Sequence, residues 1–381
     1  MIDIIIISNC VFIRFGILKE MSMKKSFYIL LFLLIVTLLF TGITLSDKSN
    51  QNFPSTATFS IVAYDPETGE WGVGVASRVL AVGYLVPWAK AGVGAIATQA
   101  FVNLDYGVEG LKLLEGGMNA QDTLNTLLEK DPDREQRQVS IIDRDGNVVV
   151  FTGSQTLAWS GNISGVHYSV QGNILTGEEV LKAMEKAFLE TKGPLTRRIV
   201  NALIAGESAG GDKRGKESAA VLVVKNSGGY QGKTDRLVDI RVDDSPEPVA
   251  ELERIYNLWE ANFLIEAYLD SKGDREKEYA LMIIGRILTE KADNAEVYNS
   301  IAWALATRAL YPERAIEIAL RAHELSPDDP NIMDTLAESF YANGEYKKAV
   351  EWEKKALKKS PESEFFKKQL EKFKNARKKN K

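Results

Sequence analysis

Small residues and prolines recur at a spacing of 34 residues in the last third of the chain. Three pairs of residues share this spacing: Ala315 and Ala349, Ala322 and Ala356, and Pro327 and Pro361. A repeat of this length is one pair of helices, with small residues where the helices approach and proline at the exit. Because a single pair cannot bury its apolar face alone, about three copies must stack. The spacing therefore predicts an all-α repeat region.

The repeat region is predicted to cover residues 262–381, after a connecting helix at 246–261. Its best copies are 296–329 and 330–363, and a degenerate copy is expected at 262–295. The second copy has eight residues at the positions of a tetratricopeptide repeat: Leu336, Ala337, Phe340, Gly344, Tyr346, Ala349, Ala356 and Pro361. The region thus resembles tetratricopeptide repeats, which implies a protein or peptide partner. An unrelated helical bundle is the alternative.

The amino-terminal segment has the pattern of an export signal. Lys24 and Lys25 precede an apolar run over residues 27–40, and a polar stretch follows. A basic flank, an apolar run and then polar residues are typical of secreted proteins. We therefore expect residues 1–57 to contain an export signal or anchor and a pro-segment. The expected location is extracytoplasmic, either secreted or periplasmic.

The position of cleavage decides which residue begins the mature chain. Ser55 and Ala57 are small residues at the two positions that a signal peptidase reads, so we expect cleavage before Thr58. Cleavage near Ser46 is an alternative that leaves a short pro-segment. A further alternative is an uncleaved apolar run, close to the ~20 residues that span a bilayer, which anchors the chain and leaves Thr58 internal.

Between residues 58 and 245, strand pairs alternate with helix pairs. Apolar, β-branched segments bounded by turn residues predict strands at 58–65, 71–77, 93–99, 139–143, 147–153, 165–173, 218–225 and 236–242. Apolar residues at helical spacing predict helices at 104–117, 119–130, 178–191 and 195–207. This order is typical of an α+β layered domain with antiparallel sheets, and not of a βαβ doubly wound domain.

Composition excludes several kinds of site. Cys10 is the only cysteine and His167 and His323 are the only histidines, which excludes disulfides, thiolate sites and histidine-rich metal sites. Residues 210–216 imitate a phosphate loop, but Glu217 stands where magnesium binding needs Ser or Thr. A net charge of −5 argues against nucleic-acid binding. No metal or other cofactor is expected.

Thr58 is the candidate nucleophile. At the start of a mature chain, its own α-amine is the base for its hydroxyl and has a reference pKa of ~7.7–8.0. Because that value is close to the working pH, such a mechanism needs no histidine.

From Thr58 onward the sequence resembles the domain-of-unknown-function family number 1028. The resemblance covers residues 58–258 and rests on six segments in order: TFSIVAYDPETGEWGVGVASRVLAVG, VPWAKAGVGAIATQAFVN, RQVSIID, VQGNIL, AGGDKRGKESAAVLVV and DIRVDDSPEPVAELERI. That family is similar in fold to the amino-terminal-nucleophile (Ntn) hydrolases. The resemblance implies a four-layer αββα sandwich over residues 58–245, a nucleophile on its first strand, and hydrolysis of an amide bond.

Seven further residues complete the predicted site. Asn173, at a strand end, is the expected oxyanion donor, and Arg78 is the other candidate catalytic residue beside Thr58. The candidate substrate-binding residues are Ser77, Gln171, Asp212, Arg214 and Ser218. Gln171 is expected to position Asn173. Asp212 and Arg214 lie on a loop expected to be flexible and to recognise substrate charge or orient the terminal amine.

Two functions are consistent with the sequence. The first is an exported amidohydrolase or peptidase-like enzyme with an amino-terminal threonine nucleophile and repeats that bind a protein or peptide, with cell-wall peptides as the candidate substrate. The alternative is a non-catalytic extracytoplasmic adaptor that binds partners through its repeats. The sequence predicts no nucleic-acid partner and a membrane contact only through an uncleaved amino-terminal segment, and it leaves open a homo-oligomer.

Overall fold

The structure, a computed structural model, describes residues 2–7, 10–15, 58–290 and 293–379. Strands β1 (Ile2–Ile7) and β2 (Cys10–Phe15) pair antiparallel and belong to a unit separate from residues 58–379. The apolar run at 27–40 and the expected cleavage positions lie outside the described residues. Among the residues described, no helix is long and apolar enough to cross a membrane.

Two stacked antiparallel sheets form the centre of residues 58–242. Their strands are β3 (Thr58–Asp65), β4 (Glu70–Ser77), β5 (Pro87–Lys90), β6 (Gly94–Ala100), β7 (Arg137–Asp143), β8 (Val148–Thr152), β9 (Gly161–Gly165), β10 (Tyr168–Asn173), β11 (Ser218–Val224) and β12 (Arg236–Val242). The six-stranded sheet has the order β12-β11-β4-β3-β10-β9, and the four-stranded sheet has the order β5-β6-β7-β8. Nearly every residue of β3 and β4 is buried, because both faces of the larger sheet pack against another layer.

A pair of helices covers the outer face of each sheet. The helices of this region are α1 (Val82–Leu85), α2 (Asp105–Glu115), α3 (Ala120–Lys130), α4 (Glu179–Glu190) and α5 (Leu195–Ser208). A Cβ at Gly74 of β4 would lie 2.4 Å from the Ile199 side chain of α5, so glycine permits this helix to approach the strand. On the other side, Gly110 of α2 lies against Ile96 of β6. The predicted four-layer αββα sandwich is confirmed.

One predicted strand begins three residues too early, and the strand that precedes it was not predicted. The sequence predicts a single strand at 165–173, whereas β9 and β10 form a hairpin around Val166 and His167. His167 has a left-handed φ of 65° and its Nδ1 lies 3.0 Å from the carbonyl oxygen of Gly146. Sequence periodicity missed the turn because β9 is rich in Gly and Ser and lacks an apolar pattern.

The rest of the described chain is helical, as predicted. The helices are α6 (Pro248–Trp259), α7 (Ile265–Leu269), α8 (Asp274–Glu290), α9 (Ala295–Thr307), α10 (Pro312–Leu325), α11 (Pro330–Ala342), α12 (Tyr346–Lys359) and α13 (Glu364–Lys379). A π-helical segment, Glu260–Leu264, joins α6 to α7. The repeat alanines are completely buried where α10 and α12 pack against their partners: Ala315, Ala322, Ala349 and Ala356. The predicted repeat region is confirmed.

Polar contacts join the sandwich to the first helices of the repeat region. Tyr268 donates a hydrogen bond to Glu70 Oε1 over 3.0 Å, and Tyr279 donates to Asp65 Oδ2 over 3.2 Å. Burial raises the pKa of Glu70 to about 7. These tyrosines therefore hold the β3–β4 hairpin against α7 and α8.

Glu260 anchors the π-helical segment that links the sandwich to the repeat helices. Its carboxylate is fully buried and forms ion pairs with Arg197 of α5, over 2.6 Å, and with Arg286 of α8. Removal of one partner from a buried ion pair typically costs about 3–5 kcal/mol, because the remaining charge stays buried. The sandwich and the repeat helices are thus coupled through this carboxylate.

A buried acid occupies a repeat position that is usually aromatic. The tetratricopeptide pattern places Phe four residues after the alanine that corresponds to Ala349, and this chain has Glu353 there. Glu353 is fully buried, and its carboxyl makes a side-chain hydrogen bond with the carboxyl of Asp334. Burial, together with the nearby carboxylates of Asp334 and Glu338, raises the pKa of Glu353.

We predict that Glu353→Leu stabilises the protein by about 1–4 kcal/mol, because an apolar side chain replaces a buried acid. The folded state holds a proton that the unfolded carboxyl, with a pKa of ~4.3, releases. The free energy of unfolding of the wild type therefore decreases as the pH rises above that value. The Glu353→Leu variant lacks this part of the pH dependence. Denaturant unfolding at acidic and mildly alkaline pH measures the difference. Glu351→Leu, exposed on the same helix, is the control, and equal pH dependence in both variants would contradict the prediction.

Candidate active site

Four of the predicted site residues lie in one row across the six-stranded sheet. In the antiparallel register, Ser218 is opposite Ser77, Ser77 is opposite Thr58, and Thr58 is opposite Asn173. Residues directly opposite each other project from the same face of a sheet. Thr58 Oγ1 donates a hydrogen bond to Ser77 Oγ over 3.1 Å. The row therefore brings the candidate nucleophile and the candidate oxyanion donor side by side.

Two glutamines from the four-stranded sheet meet this row. Gln99 of β6 donates through Nε2 to the carbonyl oxygen of Thr58, over 3.2 Å, and to Gln138 Oε1, over 2.8 Å. Asn173 Nδ2 donates to the same Gln138 oxygen over 3.1 Å. All four side chains are completely buried. Gln138 thus orients the Asn173 amide, and Gln99 holds the Thr58 backbone.

The buried hydrogen bonds between the two sheets continue at Ser60 and Gln171, which lie two residues along their strands from Thr58 and Asn173. Ser60 donates to Gln99 Oε1 over 2.6 Å. Gln171 donates through Nε2 to Ser60 Oγ, over 3.3 Å, and to the carbonyl oxygen of Ala97, over 3.0 Å. Gln171 is expected from the sequence to position Asn173, but its amide holds Ser60 and the opposite sheet instead.

Ser60, Gln99 and Gln138 were not predicted from the sequence as site residues. Each is a polar residue within a strand whose other residues are mostly apolar and buried. In a two-sheet sandwich, such residues face either the other sheet or a helix layer, and buried polar groups there need partners. The sequence signal that could have identified these residues is an uncharged polar side chain inside an otherwise apolar strand.

Arg78, Asp212 and Arg214 form a closed cluster at the end of β4. The Asp212 carboxylate accepts from the Arg78 backbone N–H over 2.9 Å, from the Arg214 N–H over 2.8 Å and from Arg214 Nη2 over 3.0 Å. The Arg78 guanidinium donates to the Arg214 carbonyl oxygen. Asp212 is only 6% exposed and forms a β-bridge with Leu175. The loop that the sequence analysis expected to be flexible is therefore held by the carboxylate of Asp212.

Ser218 makes contacts that shape the neighbouring loop. Its hydroxyl donates to the carbonyl oxygen of Val79 and accepts from the backbone N–H of Val82 over 3.0 Å. These bonds fix the turn into α1. Ser218 thus belongs to the row by position, and its hydroxyl holds the turn.

A small cavity of about 90 Å³ lies beside the row, with Ser77, Asp212, Glu207 and Lys216 in its lining. Burial raises the pKa of Glu207, whose carboxylate lies 3.2 Å from Lys216 Nζ. Ligand sites usually have volumes of about 300–1,000 Å³, so this cavity is of solvent size. In the described part of the chain, no group of three or more His, Cys, Asp or Glu side chains could hold a metal ion.

The family model described as "Family of unknown function (DUF1028)" matches residues 58–252, about half of the chain. The chain belongs to the DUF1028 family. A crystal structure of the DUF1028 protein SPO2555 from Silicibacter pomeroyi is similar at 34% identity and a TM-score of 0.49, covering 54% of this chain and 89% of that chain.

Two further matches concern the repeat region of this DUF1028 protein. The TPR repeat-containing protein PA4667 of Pseudomonas aeruginosa is 33% identical over 78 residues, 20% of this chain. The chain spans 13% of the length of that curated relative. The crystal structure titled P58(IPK) TPR domain is 13% identical with a TM-score of 0.22, covering 49% of this chain and 53% of that chain.

We predict that Gln138→Leu destabilises the protein by about 2–5 kcal/mol. The substitution removes the oxygen that accepts from both Gln99 and Asn173, and each buried donor left without a partner costs about 1–3 kcal/mol. Denaturant unfolding measures the loss. Gln121→Leu on the exposed surface of α3 is the control, with an expected change within about 0.5 kcal/mol. Equal stabilities of the two variants would show that the network does not stabilise the sandwich.

Proposed function

We propose that this DUF1028 protein is an exported amidohydrolase of the Ntn type, in which removal of residues 1–57 frees the α-amine of Thr58. The observation that carries the proposal is the position of Thr58. It is the first residue of β3, its Oγ1 lies 3.1 Å from Ser77 Oγ, and Asn173 is its cross-strand partner. A nucleophile, a hydroxyl that orients it and an amide donor are thus adjacent.

In the proposed reaction, the α-amine takes the proton of the Thr58 hydroxyl as Oγ1 attacks the carbonyl carbon of an amide substrate. The amide nitrogen leaves with that proton, and an ester on Thr58 remains. Water then attacks the ester, the amine again serves as base, and the carboxylic acid is released. Asn173 is the proposed donor to the oxyanion in both steps, because side-chain amides stabilise developing negative charge.

The remaining residues of the predicted site support this arrangement indirectly. Gln138 orients Asn173, and Gln99 holds the carbonyl oxygen of Thr58. Arg78 and Arg214, through Asp212, hold the loop at the end of β4. Their proposed role is to keep the mouth of the site in place.

Location and partners form the second half of the proposal. The basic and apolar pattern before Thr58 supports export, with anchoring as the alternative if the segment is not removed. Repeats of the tetratricopeptide type support protein–protein interaction in general. Cell-wall peptides remain the proposed substrate class.

A second candidate function is a non-catalytic extracytoplasmic adaptor. One observation favours it: Thr58 has no exposed surface, and the adjoining cavity has a volume of only about 90 Å³. A chain that keeps its amino-terminal segment would therefore bind partners without catalysis.

Acylation of Thr58 tests the proposal. We predict that a β-lactone probe forms one adduct on Thr58 of the mature protein, located by peptide mass spectrometry. Thr58→Ser keeps a hydroxyl nucleophile and should retain the adduct, whereas Thr58→Ala should lose it by about 100-fold or more. Thr289→Ala, exposed on α8, is the matched control. Equal labelling of Thr58→Ala and wild type would contradict the assignment of the nucleophile.

A further inference from the structure

A groove lies between the sandwich and the first helices of the repeat region. This junction groove has a volume of about 760 Å³ and is lined by the β11–β12 loop at 225–232 and by residues 259–272. Its volume is within the range of ligand sites. Ser218, which belongs to the row of site residues with Thr58, begins β11, and the groove lies beyond the other end of this seven-residue strand. Each residue of a strand adds about 3.3 Å. The junction groove is therefore distinct from the candidate active site, about 20 Å away.

Aromatic side chains from both parts of the protein face each other in the junction groove. The Tyr230 ring lies 6.2 Å from the Phe263 ring in an edge-to-face arrangement, and the Phe263 ring lies 4.6 Å from that of Trp259. Tyr230 is 65% exposed and Phe263 is 41% exposed. Exposed aromatic side chains in a concave surface are typical anchors for the side chains of a bound partner.

The acidic side chains of the groove are already neutralised within the protein. Asp270 pairs with Arg308 over 2.6 Å, and Glu266 lies 3.5 Å from the same guanidinium. The Arg308 hydrogen bond lowers the pKa of Asp270. These carboxylates are therefore occupied within the protein and leave no unpaired negative charge in the part of the groove that they line.

The basic side chains of the groove are not balanced in the same way. Lys225 pairs with Glu276 over 2.6 Å. Lys272 is exposed on the rim and makes no ion pair with any residue that the structure describes. The groove therefore presents aromatic walls and one unneutralised positive charge, which complements a ligand with an aromatic group and a negative charge.

Trp259 adds an unsatisfied hydrogen-bond donor. It lines the groove, and its indole N–H is buried without a hydrogen-bond partner. A buried donor without a partner is costly, and local exceptions of this kind are expected at functional sites. The π-helical segment that carries Phe263 is also a kind of irregularity that often occurs at binding sites.

We propose that the junction groove binds an extended protein segment in which an aromatic side chain is next to an acidic one. The aromatic side chain packs against the exposed rings of Tyr230 and Phe263, and the carboxylate pairs with Lys272. A single unpaired lysine is too little positive charge for a nucleic acid or an anionic membrane. This proposal does not depend on catalysis by Thr58.

Selection from a phage-displayed random dodecapeptide library tests the proposal on the full-length protein. Wild type, Phe263→Ala and Phe365→Ala are screened in parallel. Phe365 is the matched control, because it is exposed to 52% on α13 and does not line the groove. We expect wild type and Phe365→Ala to enrich the same peptides, with Phe, Tyr or Trp next to Asp or Glu. Phe263→Ala should lose this enrichment by about 30-fold.

Fluorescence anisotropy of the best selected peptide, labelled with fluorescein, tests whether the positive charge of Lys272 contributes to binding. Lys272→Glu should weaken binding by about tenfold and remove its salt dependence. Lys347→Glu, at a lysine outside the groove, should change affinity by less than about twofold. Absence of enrichment, selection of basic peptides, equal binding by Phe263→Ala, or displacement of the peptide by chitotetraose would overturn the proposal. Thermal unfolding of each variant shows that it is folded.

Discussion

The pairing of β3 with β4 is the constraint on which both parts of the structure depend. The two strands are in register over eight residues, from Thr58 opposite Ser77 to Asp65 opposite Glu70. Both strands are buried on both faces, and side chains alternate with a period of two. A slip by one residue would turn Thr58 or Ser77 away from the second sheet. The register therefore places the candidate site at one end of the pair and the contacts with the repeat helices at the other.

The candidate site is polar inside an apolar sandwich, and hydrogen bonding makes this possible. Burial of a polar group is costly unless it has a partner, and Gln99 and Gln138 supply partners for Thr58 and Asn173. The compensation is incomplete, because Gln171 Oε1 and Asn173 Oδ1 are buried without a partner. Local exceptions of this kind are expected at functional sites, where stability is exchanged for a prepared arrangement of groups.

Most of the fold could be predicted from the sequence because its signals are local or periodic. The apolar, β-branched run in residues 58–65, the helical spacing in 104–130 and the 34-residue repeat each report one local structure. Thr58, Ser77, Asn173 and Ser218 could be predicted as a group because each stands at the end or start of a predicted strand. Antiparallel pairing then brought them into one row.

The remaining features depend on contacts between distant segments, which leave no periodic signal. Gln99 and Gln138 lie on strands of the other sheet, and only sheet stacking brings them to Thr58. The Glu353 position was visible as a departure from the repeat pattern, but its burial among Asp334 and Glu338 was not. The junction groove is also absent from the sequence analysis, since a loop and a helix about 30 residues apart form it.

The catalytic account depends on a free α-amine at Thr58, so the amino terminus of the mature protein is its most direct test. Intact mass measurement and amino-terminal sequencing of the protein isolated from its natural source give this result. The account predicts a mature chain that begins at Thr58. A chain that begins near Ser46, or that retains the apolar run at 27–40, would contradict the catalytic account and favour the adaptor.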